Sequence, residues 1–188
     1  RPREKNVTGI AVVTGAAGGM GQAIARRLGD DGMNVVGVDI SWKHADGDPD
    51  DIKAGMTGKA GMTCMTADLT DQKAVSDLFD QIADRHGSID VLVNNAGTCL
   101  MSDFPSIPAE EFRRQMAINF DSCFHCCQAA IPLMLSRDDD DQSVRKIINI
   151  SSNGGLSLRI KGEGMPKHGT PSEFGDLVIT FTVDFPKQ

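Results

Sequence analysis

The sequence contains no tyrosine, so no mechanism that needs a phenol can operate on this chain of 188 residues. Positive charge is also scarce: the net charge is −7 and the pI about 5.0. This balance argues against direct binding of DNA or RNA. The sequence also has no run of roughly 18 apolar residues, so we expect no membrane span.

The chain does not begin with methionine, and its charged residues 1–5 are not followed by the apolar segment of a signal peptide. This is typical of a trimmed or internal start without a signal peptide. The five cysteines are odd in number and lack the spacing of a secreted disulfide framework. We therefore expect a reducing, intracellular compartment, the cytoplasm.

Apolar runs alternate with segments of helical periodicity over the first 150 residues. Strands are predicted at residues 10–15, 34–40, 62–67, 89–93 and 146–150, and helices at residues 20–28, 71–86 and 109–135. This alternation predicts an α/β fold with a doubly wound parallel sheet. Residues 43–61 are predicted as a long loop or poor helix, and Pro132 is expected to kink the last helix.

The pattern changes near the C-terminus. Apolar residues alternate with mostly polar ones over residues 177–185. Strict alternation is typical of an antiparallel strand with one face in solvent, whereas the earlier strands are continuous apolar runs. The last 30 or so residues therefore follow a different architectural rule.

A glycine-rich turn, T-G-A-A-G-G-M-G over residues 14–21, lies between the first strand and the first helix. Glycines there permit a tight turn and let backbone amides approach a pyrophosphate, and the helix N-terminus adds a favourable partial charge. A strict G-x-G-x-x-G spacing is absent, because Ile24 occupies the third glycine position.

Asp39 closes the second strand, 24 residues after Gly15. A carboxylate there can accept both ribose hydroxyls of an adenosine and repel a 2′-phosphate. No arginine follows it, although Lys43 is near, so NAD is favoured over NADP. The alternative is a purely structural glycine turn and strand-end aspartate.

These residues resemble the short-chain dehydrogenase/reductase family, whose fingerprint is T-G-x-x-x-G-x-G. Asp68-Leu69 is similar to the family's adenine-contacting pair, and N-N-A-G at residues 94–97 to its motif beside the cofactor. Asn119 matches the active-site asparagine, and residues 148–152 match the strand that ends in the catalytic serine, Ser152.

The resemblance covers residues 8–157 and implies a Rossmann-like fold and hydride transfer between a nicotinamide cofactor and an alcohol or ketone. It implies catalytic roles for Ser152 and Asn119. It implies cofactor contacts from Gly15, Ala17, Gly18, Gly19, Met20, Gly21, Asp39, Ile40, Asp68, Leu69, Asn95, Ala96 and Gly97.

The family's catalytic tyrosine and lysine are missing. Met165 lies 13 residues after Ser152, where the tyrosine is expected, and Gly169 stands at the lysine position. Lys161 and Lys167 lie in a Gly/Pro-rich stretch, and His168 is interpreted as a solvated loop residue. We therefore expect catalysis to be impaired, because the alkoxide formed by hydride transfer needs a proton donor.

Residues 160–188 resemble the end of the peptide-binding C-terminal domain of J-domain co-chaperones, through G-E-G-M-P and G-D-L-x-I-x-F-x-V-x-F-P. We therefore predict a Rossmann-like dinucleotide-binding domain at residues 1–157, truncated after the fifth strand. Residues 158–188 are predicted as a foreign tail with one amphipathic strand. A fusion or splicing seam is expected near residues 158–160.

Two weaker patterns are interpreted as structural. Cys123, Cys126 and Cys127 share a helix, but a zinc site would need more ligands, so we expect small packing residues and no metal. Residues 138–141 lack the spacing of a calcium loop and are predicted to be a solvated turn.

Three functions remain open from the sequence: an impaired NAD-dependent dehydrogenase, a non-catalytic dinucleotide-binding module, and a peptide binder acting through the C-terminal segment. The expected partner is a small-molecule alcohol or ketone, with no nucleic acid and no membrane. A homo-oligomer is left open, although the segments that form the family's usual oligomer face are missing.

Overall fold

The computed structural model describes residues 9–42, 62–99, 104–136 and 145–151, and the backbone of four short strands between residues 157 and 180. The chain divides into two compact units, Arg1–Ile150 and Ser151–Gln188. The predicted loops at residues 43–61 and 138–141 lie outside the described residues.

The first unit contains a five-stranded parallel sheet in the order β3-β2-β1-β4-β5. Its strands are β1 (Ile10–Thr14), β2 (Asn34–Asp39), β3 (Met62–Thr66), β4 (Val91–Asn94) and β5 (Lys146–Asn149). The helices are α1 (Gly19–Asp30), α2 (Gln72–His86), α3 (Ala109–Met116) and α4 (Ser122–Leu135), with a short 3-10 turn at Phe104–Ser106. The predicted α/β Rossmann-like fold is confirmed.

The sheet is covered on both faces, which explains why its central strands are continuous apolar runs. In β1, Val12 packs with α2 and α4, whereas Ala11 and Val13 pack on the α1 side. All three side chains are fully buried. Helices on opposite faces leave the carboxyl edge of the sheet free to carry loops.

The ends of α2 are defined by two local signals. The Asp71 side chain caps its start by accepting a 2.8 Å hydrogen bond from the Lys73 amide. Gly87 follows its last residue with φ +76°, a conformation that favours glycine. The apolar face predicted for this helix, Val75, Leu78, Phe79 and Ile82, is the face that is buried.

The predicted single helix over residues 109–135 is wrong in its middle. α3 and α4 are separated by a π-helical turn at Ala117–Asp121. Ser122 donates a 2.6 Å hydrogen bond from its hydroxyl to the Ile118 carbonyl, which competes with the regular helical bonds there. The departure from α geometry therefore lies at this turn, while Pro132 stays within α4.

The described residues of the second unit form two antiparallel strand pairs. β6 (Ser157–Ile160) pairs with β9 (Leu177–Thr180), and β7 (Pro166–Lys167) pairs with β8 (Thr170–Phe174). β9 is antiparallel, as the alternation predicted, and residues 181–185 lie outside the described residues. The sequence did not predict β6, β7 or β8. Across the described parts of the chain, no helix combines the length and hydropathy needed to cross a membrane.

Candidate functional site

The predicted site residues follow the carboxyl ends of four strands. The glycine turn follows β1, Asp39 ends β2, Asp68 follows β3, and Asn95 follows β4. Because the strands are parallel and adjacent, these positions share one edge of the sheet, where ligands of open α/β sheets bind.

The turn after β1 is shaped by glycine at two positions. Gly15 has φ +65°, and a Cβ atom there would lie 2.9 Å from the Ala96 Cα. A Cβ atom on Gly21 would overlap the Gly15 carbonyl oxygen and would lie 2.8 Å from the Ala16 Cα. The first turn of α1 can therefore pack directly against the loop that precedes it.

The N-terminus of α1 is open to an anion. Gly18 is the N-cap and provides no side-chain cap, and the first turn carries no acidic residue. A Cβ atom on Gly19 would meet nothing within 4 Å, so the backbone is accessible there. The first amides of a helix have no intrahelical partner and carry partial positive charge. This arrangement can bind a phosphate group.

The Asp39 carboxylate connects β2 to the glycine turn. One oxygen accepts a 2.9 Å hydrogen bond from the Ala17 amide, and the other accepts a 3.3 Å bond from the Ser41 amide. A carboxylate has about four acceptor positions, so it can still accept hydroxyl groups. Ile40 beside it is an exposed apolar residue, 66% accessible.

Thr14 and Asn95 connect the glycine turn to the loop after β4. The Thr14 hydroxyl accepts 3.0 Å hydrogen bonds from the amides of Asn95 and Ala96. The Asn95 side-chain amide donates to the carbonyls of Thr14 and Gly15, at 3.0 and 3.2 Å. Thr14 was not among the predicted site residues, although it is the first residue of the fingerprint.

Asp68 and Leu69 begin a compact turn after β3. One Asp68 carboxylate oxygen accepts the Thr70 amide at 2.9 Å and the Thr70 hydroxyl at 2.7 Å. Asp68 is exposed and Leu69 is buried, with 8% of its surface accessible. This turn therefore presents a carboxylate at the edge of the sheet while its apolar residue anchors it in the core.

Asn119, in the π-helical turn, holds the loop after β4. Its side-chain oxygen accepts the Thr98 amide and its side-chain nitrogen donates to the Thr98 carbonyl, both at 2.8 Å. A Cβ atom on Gly97 would lie 3.3 Å from the Asn119 oxygen. The structure thus brings Asn119 beside Gly97, two residues after Asn95.

A model of the family described as short chain dehydrogenase matches residues 9–163. The chain belongs to the short-chain dehydrogenase family. Members of this family are NAD(P)-dependent oxidoreductases with a Rossmann-like sheet.

Three relatives illustrate the match. The chain is 36% identical over 155 residues to a D-beta-hydroxybutyrate dehydrogenase of Rhizobium meliloti (strain 1021), covering 80% of this chain and 56% of the relative. Aldohexose dehydrogenase of Thermoplasma acidophilum, in ligand-free form, is 30% identical with a TM-score of 0.63, covering 78% of this chain and 50% of its own. RhlG of Pseudomonas aeruginosa, in an NADP active-site complex, is 28% identical with a TM-score of 0.67, covering 78% of this chain and 56% of its own.

The short-chain dehydrogenase match has a defined extent. The chain spans about half the length of these relatives, 50% to 56%. Ser152, which the resemblance assigns as the catalytic serine, lies outside the described residues, as do Lys161, Met165, His168 and Gly169. The proton-transfer part of the predicted site therefore has no described geometry.

An asparagine pair that the sequence reasoning missed joins the ends of β4 and β5. The Asn94 side chain donates a 2.9 Å hydrogen bond to the Asn149 side-chain oxygen. The Cys123 thiol donates to that same oxygen at 3.4 Å, and Asn94 also contacts the Cys127 sulfur at 3.3 Å. This pair aligns the last residues of β5, which lead into residues 150–152. Both asparagines lie in motifs that carried the resemblance, but their pairing across 55 positions of sequence was not predicted.

The three cysteines of α4 are thiols packed against the sheet. Burial, together with Cys127, raises the pKa of Cys126 to about 12 and that of Cys123 to about 11. Among the described residues, no cluster of three or more histidine, cysteine or acidic side chains could hold a metal ion. The packing interpretation is supported for Cys126, which is buried in the core, and for Cys127, which packs against it.

Substitution of Gly21 by alanine is expected to destabilise the glycine turn, because the added methyl group would meet backbone atoms of Gly15 and Ala16. We expect the free energy of unfolding to fall by about 1–3 kcal/mol, measured by urea denaturation. The matched variant Gly19→Ala adds its methyl group to open space and is expected to stay near the unaltered stability. Equal stability of the two variants would contradict the packing of α1 against the turn.

Alkylation by iodoacetamide at pH 8 is expected to distinguish an exposed cysteine, Cys99, from a buried one, Cys126. Cys99 is exposed and reacts, whereas Cys126, with a raised pKa and a buried sulfur, stays protonated and unmodified. Unfolding in urea returns the Cys126 thiol to its ordinary pKa and exposes it, so it is then alkylated. Peptide mass spectrometry measures both states, and fast modification of Cys126 in the folded protein would contradict its burial.

Proposed function

We propose that the chain binds NAD as the cofactor of an oxidoreductase that acts on an alcohol or ketone. The observation that carries this proposal is the hydrogen bond between the Asp39 carboxylate and the Ala17 amide. It links an acid suited to ribose with a glycine turn suited to a pyrophosphate, at one edge of the sheet.

Two features of the described residues fit the pyrophosphate of NAD. The first is the space left by two glycines that carry no Cβ atom. A Cβ atom on Gly19 would meet nothing within 4 Å, and one on Gly18 would meet only the Gly15 carbonyl oxygen at 3.6 Å. No acidic side chain of the first α1 turn opposes a pyrophosphate. The α1 N-terminus would therefore hold the phosphates, and Asp39 the adenosine ribose.

The remaining predicted residues would complete the site. Ile40, Asp68 and Leu69 would border the adenine, and Asn95, Ala96 and Gly97 would lie beside the nicotinamide half. The cofactor, when bound, supplies or accepts a hydride. The chain's own residues would orient the two halves of the cofactor and keep the loop after β4 in place.

The preference for NAD over NADP rests on charge. A 2′-phosphate beside Asp39 would place two anionic groups together, a repulsion that NAD avoids. The Asp39 carboxylate is fixed by two backbone amides, so it cannot turn away without losing both bonds. A relative, RhlG, has been solved in complex with NADP, so the preference of this chain for NAD needs a direct test.

The substrate class follows from the family and from the names of the relatives. One relative is a hydroxybutyrate dehydrogenase and another an aldohexose dehydrogenase, and both names denote substrates with hydroxyl groups. We extend this to the present chain only as an alcohol or ketone.

Catalysis by the 188-residue chain would be impaired. Ser152 would orient the substrate oxygen and Asn119 would hold the loop after β4, but no tyrosine is available as the proton donor. In the reduction of a ketone, an alkoxide that receives no proton transfers its hydride back to the cofactor more readily than it dissociates as product. The second candidate, a non-catalytic dinucleotide-binding module, is favoured by this same combination of an intact glycine turn and a missing phenol.

The C-terminal segment is proposed as a separate element. We infer from the motifs in residues 160–188 that this segment derives from the peptide-binding domain of a co-chaperone, joined near residues 158–160; the short chain dehydrogenase match, which reaches residue 163, overlaps its first residues. A peptide-binding role for it stays a prediction from sequence.

Substitution of Asp39 tests cofactor binding and cofactor choice together. Asp39→Ala removes the acceptor of the ribose hydroxyls and is expected to weaken NADH binding about tenfold or more, since hydrogen bonds to charged groups contribute about 1.5–3 kcal/mol. Asp39→Asn keeps a hydrogen-bond acceptor without the charge. We expect it to reduce the difference between the affinities for NADH and NADPH.

Quenching of Trp42, the only tryptophan of the chain, measures both affinities, because this residue lies three positions after Asp39. Asp77→Ala is the matched control, since Asp77 is an exposed carboxylate on α2 that pairs with Lys73. Unchanged NADH and NADPH affinities in both Asp39 variants would remove Asp39 from the site. No NADH binding by the unaltered chain would refute the proposed function itself.

Turnover is expected to be absent or close to background when the 188-residue chain is mixed with NAD and a panel of secondary alcohols. The physical reason is the missing general acid/base: oxidation of an alcohol needs a group that accepts its hydroxyl proton, and such a group typically contributes about 10²–10⁴-fold to the rate. The measurement is the absorbance of NADH with time, with heat-denatured protein as the blank. A robust, substrate-dependent rise would show that another group transfers the proton.

A further inference from the structure

His125, on α4, contacts the turn after β3. Its ring nitrogen Nδ1 lies 3.2 Å from the Leu69 carbonyl oxygen, across 56 residues of sequence. A carbonyl oxygen only accepts, so Nδ1 carries the hydrogen and donates it. Leu69 is itself buried, which leaves its carbonyl few other ways to be satisfied.

The hydrogen bonds that the carboxylates of this turn accept are local. Asp68 accepts from Thr70, and Asp71 accepts from the Lys73 amide. Such bonds shape the turn but do not fix its place relative to the rest of the protein. The His125 bond ties it to α4, a helix whose buried face packs into the core.

A second bridge crosses a cleft that His125 lines, and it offers a natural comparison. The cleft has a volume of about 190 Å³ and lies between α2 and α4. Gln72 donates a 3.2 Å hydrogen bond to the Gln128 side chain across it. Gln128 lies nearly one helical turn beyond His125 and joins the two helices without touching the Asp68–Leu69 turn.

We propose that His125 is a positioning residue for the adenine half of the dinucleotide. By holding the Leu69 carbonyl, it keeps the Asp68–Leu69 turn at the edge of the sheet at the distance that an adenine requires. This inference rests on the proposed function, since it assigns to His125 a role in binding the cofactor. His125 lies outside all of the motifs by which the sequence resembles the short-chain dehydrogenase family.

Three variants separate positioning from packing. His125→Ala removes the donor. His125→Asn keeps a donor nitrogen close to the position of Nδ1, and Gln128→Ala removes the neighbouring bridge across the same cleft. If His125→Ala does not fold, as judged by circular dichroism, His125→Leu takes its place, because leucine keeps bulk and lacks the donor.

The probe is ADP-ribose, which keeps the adenine half of the dinucleotide and lacks the nicotinamide ring, titrated by isothermal calorimetry into the full chain. His125→Ala is expected to bind it about fivefold more weakly, as for the loss of one hydrogen bond. His125→Asn is expected to bind within about twofold of the unaltered chain, and Gln128→Ala is expected to be unchanged. Amide exchange of Thr70 and Asp71, followed by NMR without any ligand, is expected to accelerate in His125→Ala alone.

Two results would overturn the inference while the proposed function stands. One is an unchanged affinity of His125→Ala for ADP-ribose; the other is an equal loss in Gln128→Ala, which would assign the effect to packing of α2 on α4. Failure of the unaltered chain to bind ADP-ribose would overturn the inference and the adenine site together.

Discussion

The candidate site depends on the hydrogen bonds that the buried Thr14 hydroxyl accepts. This hydroxyl accepts hydrogen bonds from two consecutive amides after β4, those of Asn95 and Ala96, and it lies on the last residue of β1. The Asn95 side chain returns two bonds to the carbonyls of Thr14 and Gly15. Two loops from adjacent strands are thereby held as one unit, with only 1% of Thr14 exposed.

The other contacts extend from this unit. Gly21 lets α1 pack against the turn, so the helix N-terminus stays next to the strand end. Asp39 then joins β2 to the same turn through the Ala17 amide. Each partner is a backbone amide or a short side chain, so the edge of the sheet is organised before any ligand binds. In the proposed function, cofactor binding would depend on the glycine turn, while proton transfer would depend on residues that follow β5.

Much of this arrangement could be predicted from the sequence, because its signals are local. Continuous apolar runs marked the buried parallel strands, and the glycines and Asp39 follow strand ends at fixed spacing. The contacts that the sequence did not reveal join distant positions. The Asn94–Asn149 pair and the His125–Leu69 bond each connect residues more than 50 positions apart.

The π-helical turn was missed for a different reason. Apolar periodicity over residues 109–135 reports a helix but not a change in its hydrogen-bonding pattern, which here accompanies the Ser122 hydroxyl bond to Ile118. The short strands β6 to β8 were missed because a strand of two to five residues leaves little periodicity to detect. Composition alone, by contrast, excluded a phenol from the mechanism.

The most direct test of the central claim is a chemical-shift map of the 188-residue chain titrated with NAD. The account predicts that the largest amide shifts fall on the glycine turn, Gly15–Gly21, and on Ser41 and Thr70, the residues around Asp39 and Asp68. Shifts confined to the strands of the C-terminal unit, Ser151–Gln188, or shifts spread evenly over the chain, would contradict it.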